Sequence, residues 1–470
     1  LKELSQLKFE ELPDIPKDWV HFNAGVHPEL PLTTLQNNRR FLRTQQDRIR
    51  ENVYGDGKII SLLLDGGKEQ SDRKLKNIQR LQKPETVLVV ANIEADLFGG
   101  TFSQFLKCLT AVKLCEALAE YDVDAVPVCW ICRPADVASP PKRLFRILDT
   151  ESELHRLRVN TDECNLTSSG EGRNFSLIPE LIAWIEDIGR GSFDPEIIAT
   201  LKKVYSQDTG WWEASARFLT VLMDVWGMPV VDSRSKDFQS TLREADHRFS
   251  KRNAGPGGFF KGTPSVYLMQ SSIFPVFACV LDPYELKSFA DALTTYKANG
   301  LIPPISWPAS SATFIDSRNR RILKNYNLRY QDLFTGEENL LKDISGSIPR
   351  SSITAKLNAL KSEVERCMDA LSNQVQEDHG FRKTKKSCLK RIVFQLDKMR
   401  SRIDAAGVRK ESVARRQIHR VACSLVPDGL SQEYGLSGLS LLLRYSHALF
   451  TFLQERLDIM KFEHQLIYMD

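Results

Sequence analysis

A chain of 470 residues with 42% apolar and 26% charged residues has the composition of a globular protein, and it is too long for a single core. Its formal charge of +4 is small for that size and points to no nucleic acid, membrane surface or other charged partner. No stretch approaches the ~18 consecutive apolar residues of a membrane-spanning helix, and the first residues have no signal-peptide character. The nine scattered cysteines read as reduced core thiols of a cytoplasmic protein.

Ahead of residue 85 the clearest element is an amphipathic helix from Leu35 to about Asn52. Thr86–Val90 is an unbroken, mostly β-branched run, long enough for a buried strand and too short for a helix. It empties into Ala91–Gly100, and a helix begins near Thr101 with Phe102, Phe105, Leu106, Leu109, Val112, Leu114 and Leu118 as its apolar stripe. The chain returns as a strand over Ala125–Trp130. Two buried strands joined by one crossover helix form a βαβ unit and predict an α/β fold with a parallel sheet. Ligands of such sheets sit beyond the carboxyl ends of the strands, here Ala91–Thr101 and Ile131–Pro141.

From Asp149 to Gly210 the interrupted polar pattern predicts helical insertions over the sheet. Trp211–Trp226 reads as a helix, Gly227–Asp232 as a short buried strand, and Asn253–Gly258 as a flexible connection. Further strands are expected at Ser265–Met269, Val276–Leu281 and Thr313–Asp316, and none after Asp343. There the apolar residues Ile353, Leu357, Leu360, Val364, Met368 and Leu371 follow a near-heptad spacing. A polar break at Gln376–Lys386 separates them from Leu389, Ile392, Leu396, Met399 and Ile403. Matched seams around a short break predict an antiparallel coiled-coil hairpin. The chain then divides into a core over residues 1–343, a hairpin over 344–425 and a last helix over 426–470 that packs back on the core.

Local motifs are few. Cys129 and Cys132 have C-x-x-C spacing at a strand end, but Pro134, Pro140 and Pro141 argue against the helix that a redox pair needs. No second pair or nearby His completes a zinc site, so core thiols are expected and no metal. The Gly255–Lys261 loop lacks the ending of a phosphate-binding loop. The second arm is basic, with Lys383, Lys385, Lys386, Lys390 and Arg391 among its charges, yet it has no interleaved aromatics; it reads as a solvated coiled-coil face or an anion pocket beside the seam, not a nucleic-acid surface.

Several segments, in order, resemble the BshC family of cysteine ligases of bacillithiol biosynthesis. Ala91–Gly100, Lys107, Thr110-Ala111-Val112-Lys113-Leu114 and Val126-Pro127-Val128-Cys129-Trp130 are similar to that family's T-G-Q-Q-x-G-L-F-G-G-P, T-A-I-K-L and V-P-V-F-W. Trp307–Thr313 is similar to its Y-P-R-x-S-x-T, and Asp332-Leu333-Phe334-Thr335-Gly336-Glu337-Glu338 to its D-L-F-x-G-x-E. Pro427–Glu433 and His464–Tyr468 match its closing segments. The resemblance runs from about Leu75 to the last residue. It implies a Rossmann-like core of class I synthetase type, a coiled coil that forms a homodimer, and a ligase that joins cysteine to the amine of glucosaminyl malate. ATP or another nucleotide is implied as cosubstrate.

In that reading Gly99, Gly100, Thr101 and Lys107 position a nucleotide or acidic substrate, Asp136 and Glu285 orient the amine or cysteine, and Ser311 touches a ligand. The plain alternatives are a tight strand-to-helix turn with Thr101 as N-cap and an exposed lysine. Departures from the family pattern fall at the same places. Glu94 and Asp96 put carboxylates in the turn, where a charge ~4 Å from a phosphate would be opposed by about 4 kcal/mol at an effective dielectric near 20. Arg133-Pro134-Ala135-Asp136 stands for an acidic-histidine cluster, Ala309 for an arginine, and Leu281-Asp282-Pro283-Tyr284-Glu285 for a glycine-rich loop. Two functions follow: a ligase of weakened or altered activity, or a non-catalytic relative serving as a dimeric scaffold or small-molecule binder.

Overall fold

The computed structural model describes residues 4–27, 39–49, 71–94, 96–132, 144–160, 165–169, 174–175, 178–205, 211–233, 235–252, 266–346, 350–374 and 379–469. Two compact units result, Leu1–Ser317 with Cys423–Asp470, and Arg318–Ala422, so residues 318–343 group with the hairpin. The strands are β1 Leu4–Leu7, β2 Val87–Glu94, β3 Ala125–Cys132, β4 Leu144–Leu148, β5 Leu154–Asn160, β6 Asn165–Ser169, β7 Asn174–Phe175, β8 Val230–Asp232, β9 Val276–Leu281, β10 Ile305–Pro308, β11 Ser311–Ile315 and β12 His464–Tyr468.

The centre of the larger unit is a five-stranded sheet in the order β10-β9-β2-β3-β8, parallel throughout. The chain lays β2, β3 and β8 outward in one direction, then returns to the other side of β2 for β9 and β10. Strand order therefore reverses between β2 and β9, where open parallel sheets form their ligand crevice. Buried on both faces, β2 and β3 need apolar side chains at nearly every position, which is why their sequences do not alternate. Pro127, which lacks a ladder donor, sits in β3 ahead of the residues that pair with β8. Cys129 and Ile131 face the main core cluster, whereas the Cys132 thiol lies 3.7 Å from Asn92 Oδ1. A separation of three places Cys129 and Cys132 on opposite faces of the strand, so they are separate core thiols and not a redox pair.

Three expectations for this unit change. Residues 266–273 form a helix, not a strand: the apolar run continues through Gln270, Ser271 and Ser272 to Ile273, all buried, and a short apolar run does not distinguish strand from buried helix. The stretch expected to be helical from Asp149 onward opens instead with β5, β6 and β7, which complete an antiparallel meander begun by β4, before the helices Ile178–Gly189 and Pro195–Val204. The carboxyl-terminal region holds three short helices, Gln432–Gly435, Gly438–Tyr445 and Ala448–Arg456, followed by β12. That strand inserts antiparallel to β1 and parallel to β11.

The smaller unit is helical. Arg350–Gln374 and His379–Leu425 form the two arms, the second continuing into the larger unit at its end. Lys385 pairs with Asp369 at 2.8 Å, as antiparallel arms require. Leu357, Val364, Met368, Leu389, Ile392 and Leu396 are half-buried, whereas Leu360, Leu371, Phe394 and Met399 are exposed. Among the described residues no helix is long and apolar enough to cross a membrane.

Candidate functional site

The helix Phe102–Ala119 crosses from β2 to β3 and buries a lysine in its second turn. Lys107 is 1% exposed, and its ammonium contacts Glu285 Oε2 and lies 3.4 Å from Asp282 Oδ2. Both acids belong to the turn after β9, which the backbone ties closed. The Asp282 amide donates to Glu285 Oε2 at 3.0 Å, and the Tyr284 amide donates to Asp282 Oδ1 at 2.9 Å. Glu285 then opens the helix Leu286–Ala298. The cluster joins the element after β2 to the element after β9, on the two sides of the strand-order reversal.

Its electrostatics follow from one cation shared by two acids. Burial pushes the Glu285 carboxyl up to about 7 against the pull of Lys107, with the Asp282 charge adding to the rise. Burial by itself would lower the Lys107 ammonium, but Glu285 and Asp282 outweigh it and hold it above its ordinary value. Near neutral pH the cluster thus exchanges one proton at Glu285, the range in which a carboxyl gives or takes protons usefully.

Near it, several buried polar atoms have no hydrogen-bond partner. Gln270, on the helix Val266–Ile273, donates through Nε2 to Asn92 Oδ1 of β2 at 2.5 Å. Asn92 Nδ2, Gln270 Oε1, Tyr267 Oη and Glu285 Oε1 are buried and unpartnered. Tyr267 stands one helical turn before Gln270, on the same helix face. Burial first, then the charges of Glu285 and Asp282, raise its phenol, which puts it within electrostatic reach of the acid cluster. Ser288 opposes that rise, yet its hydroxyl donates to the Glu285 carbonyl at 2.9 Å. Each buried orphan costs about 1–3 kcal/mol, so these residues mark a place where stability is not maximised.

A second polar network lies where β11 meets β12. Ser311 and His464 are register partners, and the Ser311 hydroxyl is 2.6 Å from His464 Nδ1 and in contact with Glu433 Oε1. Glu433 Oε2 accepts the Ala312 amide at 3.2 Å, and Thr313 Oγ1 is 2.9 Å from His464 Nε2. All four side chains are buried. Burial raises the Glu433 carboxyl to about 8 and lowers the His464 imidazole to about 3. Ser311 donates to Glu433 Oε1, so its hydroxyl accepts from His464 Nδ1, and the neutral His464 ring then accepts from Thr313 through Nε2.

Two family models match the chain in sequence order: the N-terminal Rossmann-like domain of bacillithiol biosynthesis BshC over residues 32–253, and the C-terminal coiled-coil domain of BshC over residues 312–469. The chain belongs to the BshC family. Several relatives carry the name "Putative cysteine ligase BshC". The protein of Salinibacter ruber is 25% identical over 233 residues, which span 48% of this chain and only 43% of that protein. Those of Solibacter usitatus and Chlorobaculum tepidum are 20% and 22% identical, and each match spans 82% of the relative and 78% or 81% of this chain.

Against this BshC fold the site residues expected from sequence separate clearly. Lys107 and Glu285 come together, but Lys107 is neither exposed nor available to a phosphate, because two carboxyls occupy it. Gly99 and Gly100 adopt φ of +83° and +78°, and a Cβ on Gly100 would lie 2.7 Å from Gln104. The segment 436–438 covers the turn: the Phe102 amide donates to the Leu436 carbonyl at 2.9 Å, and the Gly438 amide to the Gly100 carbonyl at 3.0 Å. Thr101 turns its hydroxyl to Ser103 at 2.8 Å and makes no side-chain cap. Asp96 accepts the Leu97 amide at 2.7 Å. The glycines thus serve a close-packed bend. Ser311 is an interior hydroxyl in contact with Glu433 and His464. Asp136 lies outside the described residues. Sequence reasoning assigned no role to Asn92, Tyr267, Gln270, Asp282, Glu433 or His464; the legible signals were an acid pair three residues apart after a buried strand, and a Gln inside an apolar run.

Proposed function

We propose that the protein is an amide-forming ligase of bacillithiol biosynthesis that joins the carboxyl carbon of cysteine to the amine nitrogen of glucosaminyl malate. The observation that carries this reading is the Lys107–Glu285–Asp282 cluster at the strand-order reversal, where Glu285 keeps an unpartnered, buried carboxyl oxygen. Glu285 holds a substrate amine, and Lys107 fixes the Glu285 carboxyl in place. In amide formation the carboxyl must be activated, one of its oxygens departs with the activating group, and the attacking amine gives up a proton. ATP is the first nucleotide to test as the activating cosubstrate.

The closed turn favours a second reading, a family member of low or no turnover that binds small molecules. Incubation with cysteine, glucosaminyl malate and ATP, followed by mass detection of bacillithiol, separates the two. The ligase reading expects product that falls at least tenfold on Glu285→Gln; no product with any nucleotide removes it. We also propose that the protein is a homodimer through the hairpin, because Leu360, Leu371, Phe394 and Met399 remain exposed beside the half-buried seam.

A further inference from the structure

The end of the second hairpin arm carries ligating side chains that the proposed chemistry leaves unused. His419 and Cys423 stand four residues apart in the helix His379–Leu425, which is unbroken there, so helix geometry alone sets both on one face. Glu337, the first residue of the helix Glu337–Gly346, meets that face: its Oε1 and Oε2 lie 2.9 and 3.0 Å from His419 Nδ1. One ligating atom from each of the three residues lies within 4.8 Å of the other two. Among the described residues no other three His, Cys, Asp or Glu side chains come this close together. Cys423 is buried, whereas the side chains of His419 and Glu337 are 39% and 36% exposed. The group is therefore closed at the thiol and open to solvent at the imidazole and carboxylate.

The donor set selects the ion. Calcium and magnesium take oxygen donors, whereas a thiolate beside an imidazole selects zinc among the common divalent ions. Zinc bonds of ~2.0–2.3 Å put tetrahedral ligand atoms roughly 3.3–3.8 Å apart. Atoms already within 4.8 Å of one another reach that spacing by side-chain rotation. Charge also balances, because one thiolate and one carboxylate neutralise a divalent ion and so offset the cost of burying the thiolate. We propose that Glu337, His419 and Cys423 bind one zinc ion whose fourth position is open to water. On binding, the Cys423 thiol loses its proton to solvent, and His419 bonds the metal as a neutral imidazole with its proton on the other nitrogen. The ion ties the start of the helix Glu337–Gly346 to the end of the second arm, positions 82 residues apart in the chain. The site is independent of the ligase reading.

Cobalt(II) reports such a site directly, because a thiolate bond to cobalt adds a charge-transfer band in the near ultraviolet and tetrahedral cobalt absorbs strongly in the visible. The full chain, stripped with a chelator and kept reduced by a phosphine, is titrated with cobalt chloride and then with zinc chloride. One equivalent of cobalt should bind with both signals; one equivalent of zinc should displace it, and a large excess of magnesium should not. Cys423→Ser should abolish the charge-transfer band, whereas Cys367→Ser and Cys388→Ser, at the two exposed cysteines, should keep it. His419→Ala and Glu337→Gln should each weaken zinc by more than the roughly tenfold that even an outer partner of a metal site is worth. Both alter half-exposed side chains, so with helix content checked by circular dichroism they carry the test if Cys423→Ser does not fold. No stoichiometric binding of either metal, a charge-transfer band that survives Cys423→Ser, or wild-type zinc affinity in His419→Ala overturns the site.

Discussion

Replacing Glu285 by Gln isolates the titration of one buried carboxyl. Folding moves that group from 4.5 to about 7, so the folded state holds an extra proton between those values. The sign follows: its contribution to stability is fullest below pH 4.5, declines by ~1.4 kcal/mol per pH unit in between, and is constant above about 7. Gln fills the same space and does not titrate. The variant also leaves Lys107 with Asp282 alone, a cost that is constant while the ammonium stays charged. The difference in stability between variant and wild type should therefore swing by about 2–3 kcal/mol in favour of the variant between pH 5 and 8. Urea unfolding followed by tryptophan fluorescence measures it, because all seven tryptophans lie within Leu1–Ser317 and report on the unit that holds the site. Other carboxyls titrate alike in both proteins and cancel. A pH-independent difference would refute the claim that burial, opposed by Lys107, sets this group.

The same assay reads three further changes. Ser311→Ala strips Glu433 and His464 of a shared partner and should lower stability by about 1–3 kcal/mol; no loss would show that the network does not hold β12. Gly438→Ala places a Cβ 2.1 Å from the Phe105 ring, so the covering segment must shift, and a loss of more than about 1 kcal/mol is expected by the measure of overpacked sites. Thiol labelling of the native protein should reach Cys367 and Cys388 and, before unfolding, spare Cys108, Cys115, Cys129, Cys132, Cys279 and Cys423; early labelling of Cys129 or Cys132 would contradict their core placement. Phe394→Glu with Met399→Glu should give a monomer by sedimentation if the exposed stripe is the dimer contact, and an unchanged mass would move that contact elsewhere.

The scaffold was legible where one physical requirement acts along a continuous stretch. A strand buried on both faces must be apolar at nearly every position, so Thr86–Val90 announces itself, although the strand runs on past Asn92 to Glu94, and two facing seams announce the hairpin. The signal fails where one pattern serves two structures: Val266–Ile273 is apolar enough for a strand and forms a buried helix instead. It fails again for β12, whose polar ends, His464 and Gln465, are buried because distant residues satisfy them. Thr313 and Ser311 take the His464 ring, and Gln465 bonds the Asp458 backbone at 2.9 Å.

The site was half legible for a related reason. The glycine bend after β2 looks like an anion cradle because a cradle and a tight turn ask the same of the backbone, positive φ and no Cβ. What separates them is the partner of the bend, and residues 436–438, more than 300 positions onward, supply it. Lys107 looked like a surface residue because its two counter-charges stand 175 and 178 positions away. Once paired, it can no longer act as a phosphate ligand without leaving Glu285 and Asp282 uncompensated, a loss that for buried pairs runs to about 3–5 kcal/mol. The chemistry must therefore be sought at the buried oxygen that the pair leaves without a partner, Glu285 Oε1, and not at the ammonium that holds it.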